Sequence, residues 1–175
     1  MTSTTISSNS ARSFAGLWIL GHGSAQAAAD LTNVTIAGNW TFPADPFTDR
    51  GIGGGLIIGD NTVGTILNCT IVDNEAQFAS GIARVSPLTV RNTIISNHAD
   101  NEWTPLNCTG SSYDTPPGTG TDNIQWPGDV HERDMECTPG ILYADPLLGD
   151  LQDHGGVTMT MAPLASSPAL AAGHD

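Results

Sequence analysis

Asn68-Cys-Thr-Ile-Val-Asp-Asn74 decides how this chain is read, because near copies of it recur. Residues 3–9 read STTISSN, residues 33–39 read NVTIAGN, and residues 92–97 read NTIISN. Their first residues, Ser3, Asn33, Asn68 and Asn92, are spaced by 30, 35 and 24. The unevenness is confined to loops. Copies are followed by an apolar stretch opened by glycine: GLWIL from Gly16, GLIIG from Gly55 and GIARV from Gly81. Asn9 to Gly16 and Asn74 to Gly81 are both seven residues, whereas Asn39 to Gly55 is sixteen. One loop, within WTFPADPFTDRGIGG, therefore carries the excess. A third apolar stretch, such as PLTVRN at 87–92, leads into the next copy. Three strands per repeat, with fixed joints and one elastic loop, describe a coil of a solenoid in which each repeat stacks on its neighbours.

Alternation inside the copies orders the core. Leu31, Ile66 and Val90 lie two residues before the first residue of a copy, Val34, Cys69 and Thr93 one after it, and Ile36, Ile71 and Ile95 three after it. Thr4 and Ile6 continue the last two columns into the first copy. Turned inward, these columns would stack like on like at about 4.8 Å, leaving Thr5, Thr35 and Thr70 to face water. In the glycine-led stretch the inward face stays open, since Arg84 argues against one choice and Trp18 against the other. Asparagine tolerates the left-handed backbone of a sharp corner, and stacked asparagines can bond along an axis. The competing reading is an antiparallel sandwich in which the asparagines mark ordinary turns. Sequons at Asn33, Asn39, Asn68 and Asn107 read mostly as by-products of the repeat.

Composition narrows the partners. At 175 residues the chain is long enough for one domain with a real core, and 20 glycines and 11 prolines suit tight turns between strands. Eighteen acids against five arginines and no lysine give a net charge of −13, which repels phosphate backbones and anionic lipid. Nucleic acid is therefore not an expected partner. Membrane insertion is not expected either, because no apolar run approaches the roughly 18 residues a span needs. MTSTTISSNSARS at the start carries no secretory signal as written. Cys69, Cys108 and Cys137 have no zinc-site spacing and could make one disulfide with one thiol left over. Cys69 falls in an inward column, which implies a buried, inert thiol.

The C-terminal stretch is more specific. Asp145-Pro146-Leu147-Leu148-Gly149, then His154-Gly155-Gly156, then Ser167-Pro168-Ala169 resembles the C-terminal motif of bacterial surface proteins called choice-of-anchor Q domain proteins. His154 stands where that family usually has Asn, and Leu170-Ala171 where it has Ile-Asp. The resemblance implies an all-β chain: right-handed parallel β-helix coils over 1–100, then a loop-rich region and tail over 101–175 packing on or capping them. It also implies an extracellular or cell-surface location. Asn107-Cys108-Thr109-Gly110 matches a segment that precedes a second cysteine in such proteins, so the resemblance pairs Cys108 with Cys137. A bridge of that length stabilises by roughly 3–4 kcal/mol in the chain-entropy model.

For function, the sequence supports a structural or adhesive module that could bind carbohydrate. The alternative is a polysaccharide-active enzyme of uronan-lyase or glycosidase type working in a lateral groove. An enzyme would draw on Asp73, Glu75, Asp100, Glu102 and Arg91, acids for Ca²⁺ and an arginine base. A binding face would use Trp40, Phe42, Trp103 and Trp126, read as loop residues whose flat rings stack on sugars. Asp45 and Asp49 are the weak candidates for Ca²⁺, the single cofactor suggested. Ice binding by Thr5, Thr35 and Thr70 is broken by Ile94, and His22, His98, His131, His154 and His174 are too scattered for a metal triad. An uncovered first coil exposes strand edges, which points to self-association or a preceding domain as a partner there.

Overall fold

The computed structural model describes residues 1–42, 51–96, 98, 107–110, 118–128 and 134–173. The fold is all-β, with mostly parallel strands in curled sheets; among the described residues the helical content is a single 3₁₀ turn at Pro168–Leu170. Strands come in threes. The first pass contains β1 (Thr2–Ser7), β2 (Ser10–Ala11) and β3 (Leu17–Ile19). The second contains β4 (Ala27–Ala37), β5 (Trp40–Thr41) and β6 (Leu56–Ile58), and the third β7 (Thr62–Leu67), β8 (Thr70–Val72) and β9 (Ile82–Arg84). A fourth holds β10 (Leu88–Arg91), β11 (Ile94–Ser96) and β12 (Cys108–Thr109), before β13 (Ile124–Trp126) and β14 (Leu142–Tyr143). β15 (Leu148–Gln152) and β16 (Thr160–Pro163) form an antiparallel hairpin in the tail.

Equivalent strands of successive passes pair in parallel. Ile6 lies beside Ile36, Ile36 beside Ile71, and Ile71 beside Ile95, so the isoleucine column stacks in register. Leu31, Ile66 and Val90 do the same in the β4–β7–β10 ladder. These residues form one buried core, against which Ile6 packs partly buried. A third ladder, β3–β6–β9–β12, resolves the open question of the glycine-led stretch. Leu17, Leu56 and Ile82 pair along the inner column, and Trp18, Ile57 and Ala83 along the outer one. Arg84 takes the inward register beside Ile58, and its guanidinium reaches the Ser86 carbonyl at 3.1 Å. The opening glycines have a steric cause. A Cβ on Gly16 would sit 2.1 Å from the Gly55 carbonyl oxygen, and one on Gly55 2.5 Å from that of Gly81.

The corners are made by left-handed residues, as the asparagines suggested. Ser3, Asn33, Asn68 and Asn92 all have φ between 46° and 55°. The same corner continues at Asp122 (φ 62°) and Gly140 (φ 72°), two further passes that the heptad pattern does not show because their residues differ. After Asn33, Asn68 and Asn92 an inward side chain of the next pass accepts the backbone N–H. Val34 N–H donates to Cys69 Sγ at 3.4 Å, Cys69 N–H to Thr93 Oγ1 at 3.3 Å, and Thr93 N–H to Asn123 Oδ1 at 3.0 Å. Burial pushes the Cys69 thiol up, which keeps it protonated and unreactive.

A second corner carries an asparagine ladder. Asn9 donates its N–H and Nδ2–H to Asn39 Oδ1, and Asn39 donates the same pair to Asn74 Oδ1. Asn74 N–H then donates to His98 Nδ1 at 3.2 Å. The position equivalent to Asn74 in the fourth copy is thus His98, one residue beyond the Asn97 that ended the sequence motif. Burial lowers the His98 pKa to about 3, so the imidazole is neutral, and its buried Nε2 has no hydrogen-bond partner among the described residues.

Two expectations are corrected. Thr35 is only 5% exposed, Thr5 and Thr70 are half-buried, and Thr5 Oγ1 donates to the Met159 carbonyl at 2.7 Å, so this column is partly covered rather than open to water. The tail lies over it: Ala169 and Ala172 close a cleft against Ile94 and Ile124 on the same face. Trp40 and Trp126 are on strands, not loops, because each aligns with a residue of a neighbouring pass. Finally, Gln125 occupies the isoleucine column beside Ile95 and is fully buried. Its amide is satisfied there, donating to Met135 O at 3.0 Å and accepting from Cys137 N–H at 2.8 Å. Cys108 and Cys137 form the disulfide, with Cα atoms 5.3 Å apart. The isoleucine column continues past Gln125 to Tyr143, which pairs with it in β14.

Candidate functional site

The asparagine corner sets up the most distinctive surface. Because Asn39 and Asn74 are locked inward, the residues after them leave the corner in register. Trp40 lies between Ser10 and Glu75 in a short parallel ladder. Glu75 N–H donates to the Asn39 carbonyl at 2.8 Å, and Thr41 N–H to the Glu75 carbonyl at 3.0 Å. Parallel neighbours in register project their side chains the same way about 4.8 Å apart, so the Trp40 ring and the Glu75 carboxylate share one outward face. The Phe42 ring lies 5.3 Å from that of Trp40, tilted by 51°, and the two side chains are 46% and 41% exposed. Asp73 forms the left-handed step of the same corner (φ 52°), its N–H donating to Ser96 O at 3.1 Å. Partial desolvation pushes its carboxyl above the usual range.

The arrangement combines two exposed aromatic faces with the Glu75 carboxylate. Aromatic faces can stack on the C–H faces of sugars, and carboxylates can accept hydrogen bonds from hydroxyls. Sequence reasoning named Trp40, Phe42, Asp73 and Glu75, but in separate roles. What it lacked was the register that sets Trp40 beside Glu75. Arg91 is elsewhere. It pairs with Leu67 before the Asn68 corner, whereas Asp73 follows β8, so the length of a strand separates the arginine from these acids. Trp126 is 38% exposed at the edge of β13, away from the pair. Asp100, Glu102, Trp103, Asp45 and Asp49 lie outside the described residues. Among the described residues no three His, Cys, Asp or Glu side chains group as metal ligands.

A second apolar surface was missed. Phe14 and Trp18 stack with centroids 4.3 Å apart and continue into the outward column of the third ladder. Beyond them, Ile52, Ile57, Phe78, Ala83, Val85 and Thr109 line a groove of about 250 Å³. The signal for it was the outward register of Trp18, which needed a decision on the inner face. A further cleft of about 410 Å³ opens between Arg84, Leu88, Thr119 and Pro139. Neither holds the mixture of rings and a carboxylate seen at Trp40.

Comparison with protein-family models, with curated proteins and with solved structures returned no match to this chain. Among the described residues no helix is long and apolar enough to cross a membrane.

Proposed function

We propose that the three ladders close into a short right-handed parallel β-helix, and that the chain is an adhesive module of a secreted or cell-surface protein of the choice-of-anchor Q type. Its ligand is a neutral glycan, held by Trp40, Phe42 and Glu75 without chemical change. The observation that carries this reading is the exposed, tilted aromatic pair with a carboxylate in register beside it. The disulfide is compatible with an oxidising, extracellular setting. The net charge of −13 disfavours uronans, whose carboxylates would be repelled, unless Ca²⁺ bridges the two. The lyase reading needs an arginine base at the acids, and Arg91 stands a strand away from Asp73 and Glu75.

The test is calorimetric titration with neutral and uronic oligosaccharides, each with and without Ca²⁺, alongside absorbance for unsaturated products. Neutral glycans should bind, and Trp40→Ala should weaken them about tenfold or more through loss of one stacked face. Binding indifferent to Trp40→Ala and Phe42→Ala, a preference for uronans, or product formation would each reject the proposal.

A further inference from the structure

The aromatic pair sits in the middle of a small outward grid whose two flanks differ in hydrogen-bonding character. Ser10 pairs with Trp40 and Ala11 with Thr41, and Trp40 in turn pairs with Glu75. Phe42 N–H donates to the Ala11 carbonyl at 2.8 Å, so the parallel register runs on and sets Arg12 beside Phe42. Exposure alternates accordingly. Ser10, Arg12, Trp40, Phe42 and Glu75 are exposed, whereas Ala11 is half-buried and Thr41 and Ala76 are buried. Residues two apart on a strand share a face, and in-register neighbours stand about 4.8 Å apart. The outward face therefore carries Ser10 and Arg12 on one flank, the two rings in the centre, and Glu75 on the other flank.

The flanks are chemically opposite. A guanidinium only donates hydrogen bonds, and a carboxylate only accepts them. A ligand lying over the rings is met by donors along one edge and by an acceptor along the other. Hydroxyls both donate and accept, so a plain hexose offers the same chemistry to both flanks. An N-acetylated amino sugar does not. Its hydroxyl edge donates, and its acetamido edge brings a carbonyl acceptor together with a methyl group. Arg12 has donors for that carbonyl, and the Phe42 ring beside it is an apolar surface for the methyl. A carboxylated sugar would also satisfy Arg12, but it would bring its charge into the field of a chain carrying −13, with Glu75 in the same grid.

We infer that the glycan is built of N-acetylated amino sugars, with Arg12 donating to the acetamido carbonyl and Glu75 accepting from hydroxyls of the opposite edge. This rests on the Trp40–Phe42 pair being a glycan platform, and it adds Arg12 as the residue that selects among neutral glycans.

The test is calorimetric titration with an N-acetylated chito-oligosaccharide, its deacetylated form and a cello-oligosaccharide of the same length, in about 0.15 M salt to screen net charge. The N-acetylated ligand should bind about tenfold more tightly than the cello-oligosaccharide, the gain of one charge-assisted hydrogen bond. Arg12→Ala should erase that preference. Arg91→Ala, which removes the same charge away from the rings, should keep it. No preference in the intact chain, a preference that survives Arg12→Ala, or tighter binding of the deacetylated form would each overturn this inference. In those cases, weakening of the same binding by Trp40→Ala leaves the platform reading intact. Binding of none of the three ligands, or binding indifferent to Trp40→Ala, would overturn both.

Discussion

Asn74→Ala is the sharpest test of how the corner is held. The Asn74 side chain accepts from Asn39 N–H at 3.1 Å and Asn39 Nδ2 at 2.9 Å, and donates to Ile36 O at 3.0 Å, all in buried surroundings. Its removal leaves two donors and an acceptor short of a partner where water does not reach. At roughly 1 kcal/mol or more for each buried group left unpaired, the cost is about 3–4 kcal/mol. Against a total stability of about 5–15 kcal/mol, that is a large share. Asn9→Ala removes one forward bond at an exposed position, and Asn39 Oδ1 still accepts from Asn9 N–H, so it should cost about 1 kcal/mol or less. Urea unfolding under oxidising conditions, with midpoint and slope fitted together, measures both. The Asn39/Asn74 double-mutant cycle should show coupling of about 1–2 kcal/mol. Equal losses at Asn9 and Asn74, or a loss below about 1 kcal/mol at Asn74, would refute the ladder as the fastening of this corner.

The other expectations concern single contacts. Gly55→Ala should prevent folding or destabilise by about 2 kcal/mol or more, because its Cβ would lie 2.5 Å from the Gly81 carbonyl. Gly23→Ala, with nothing within 4 Å, should cost only the left-handed strain of about 1 kcal/mol; matched melting curves for both would contradict the stacking. His98 is neutral when folded, with its pKa lowered to about 3 by burial, whereas the unfolded imidazole titrates near 6.5. Its contribution is therefore constant above about 6.5, and stability falls by about 1 kcal/mol per pH unit from there toward 3, as the unfolded state alone takes up the proton. His98→Asn, which keeps an acceptor for Asn74 N–H, should flatten that slope in chemical denaturation between pH 6 and 4. Reduction of Cys108–Cys137 should cost about 3 kcal/mol, while Cys69 should stay unlabelled by a thiol reagent until the chain unfolds.

Much of the fold was legible because its determinants are local and repeated. A left-handed corner favours Asn wherever it occurs, and an inward position next to a like position favours a branched aliphatic, so Asn33, Asn68, Ile36 and Ile71 announce themselves. The same logic failed where the chain departs from the repeat for a structural reason. Asp122 and Gly140 turn the same corner with different residues. Gln125 is inward and polar because it bonds Cys137 and Met135, partners ten or more residues away. His98 replaces an asparagine where the ladder stops.

The candidate site divides along the same line. Trp40, Phe42, Asp73 and Glu75 could be named from residue chemistry and the 35-residue spacing of the copies, but the pairing of Trp40 with Glu75 beyond the asparagine corner is seen only in the backbone. By itself the sequence determined the repeat, the inward columns and the corners, since each is set by the conformational preference of one residue and the identity of its counterpart in the next pass. Tertiary structure decided the outward register of Trp18, the covering of Thr5 and Thr35 by the tail, and the meeting of Trp40 with Glu75. Those depend on where distant segments cross, which is governed by sterics and hydrogen bonding between residues with no shared local signal.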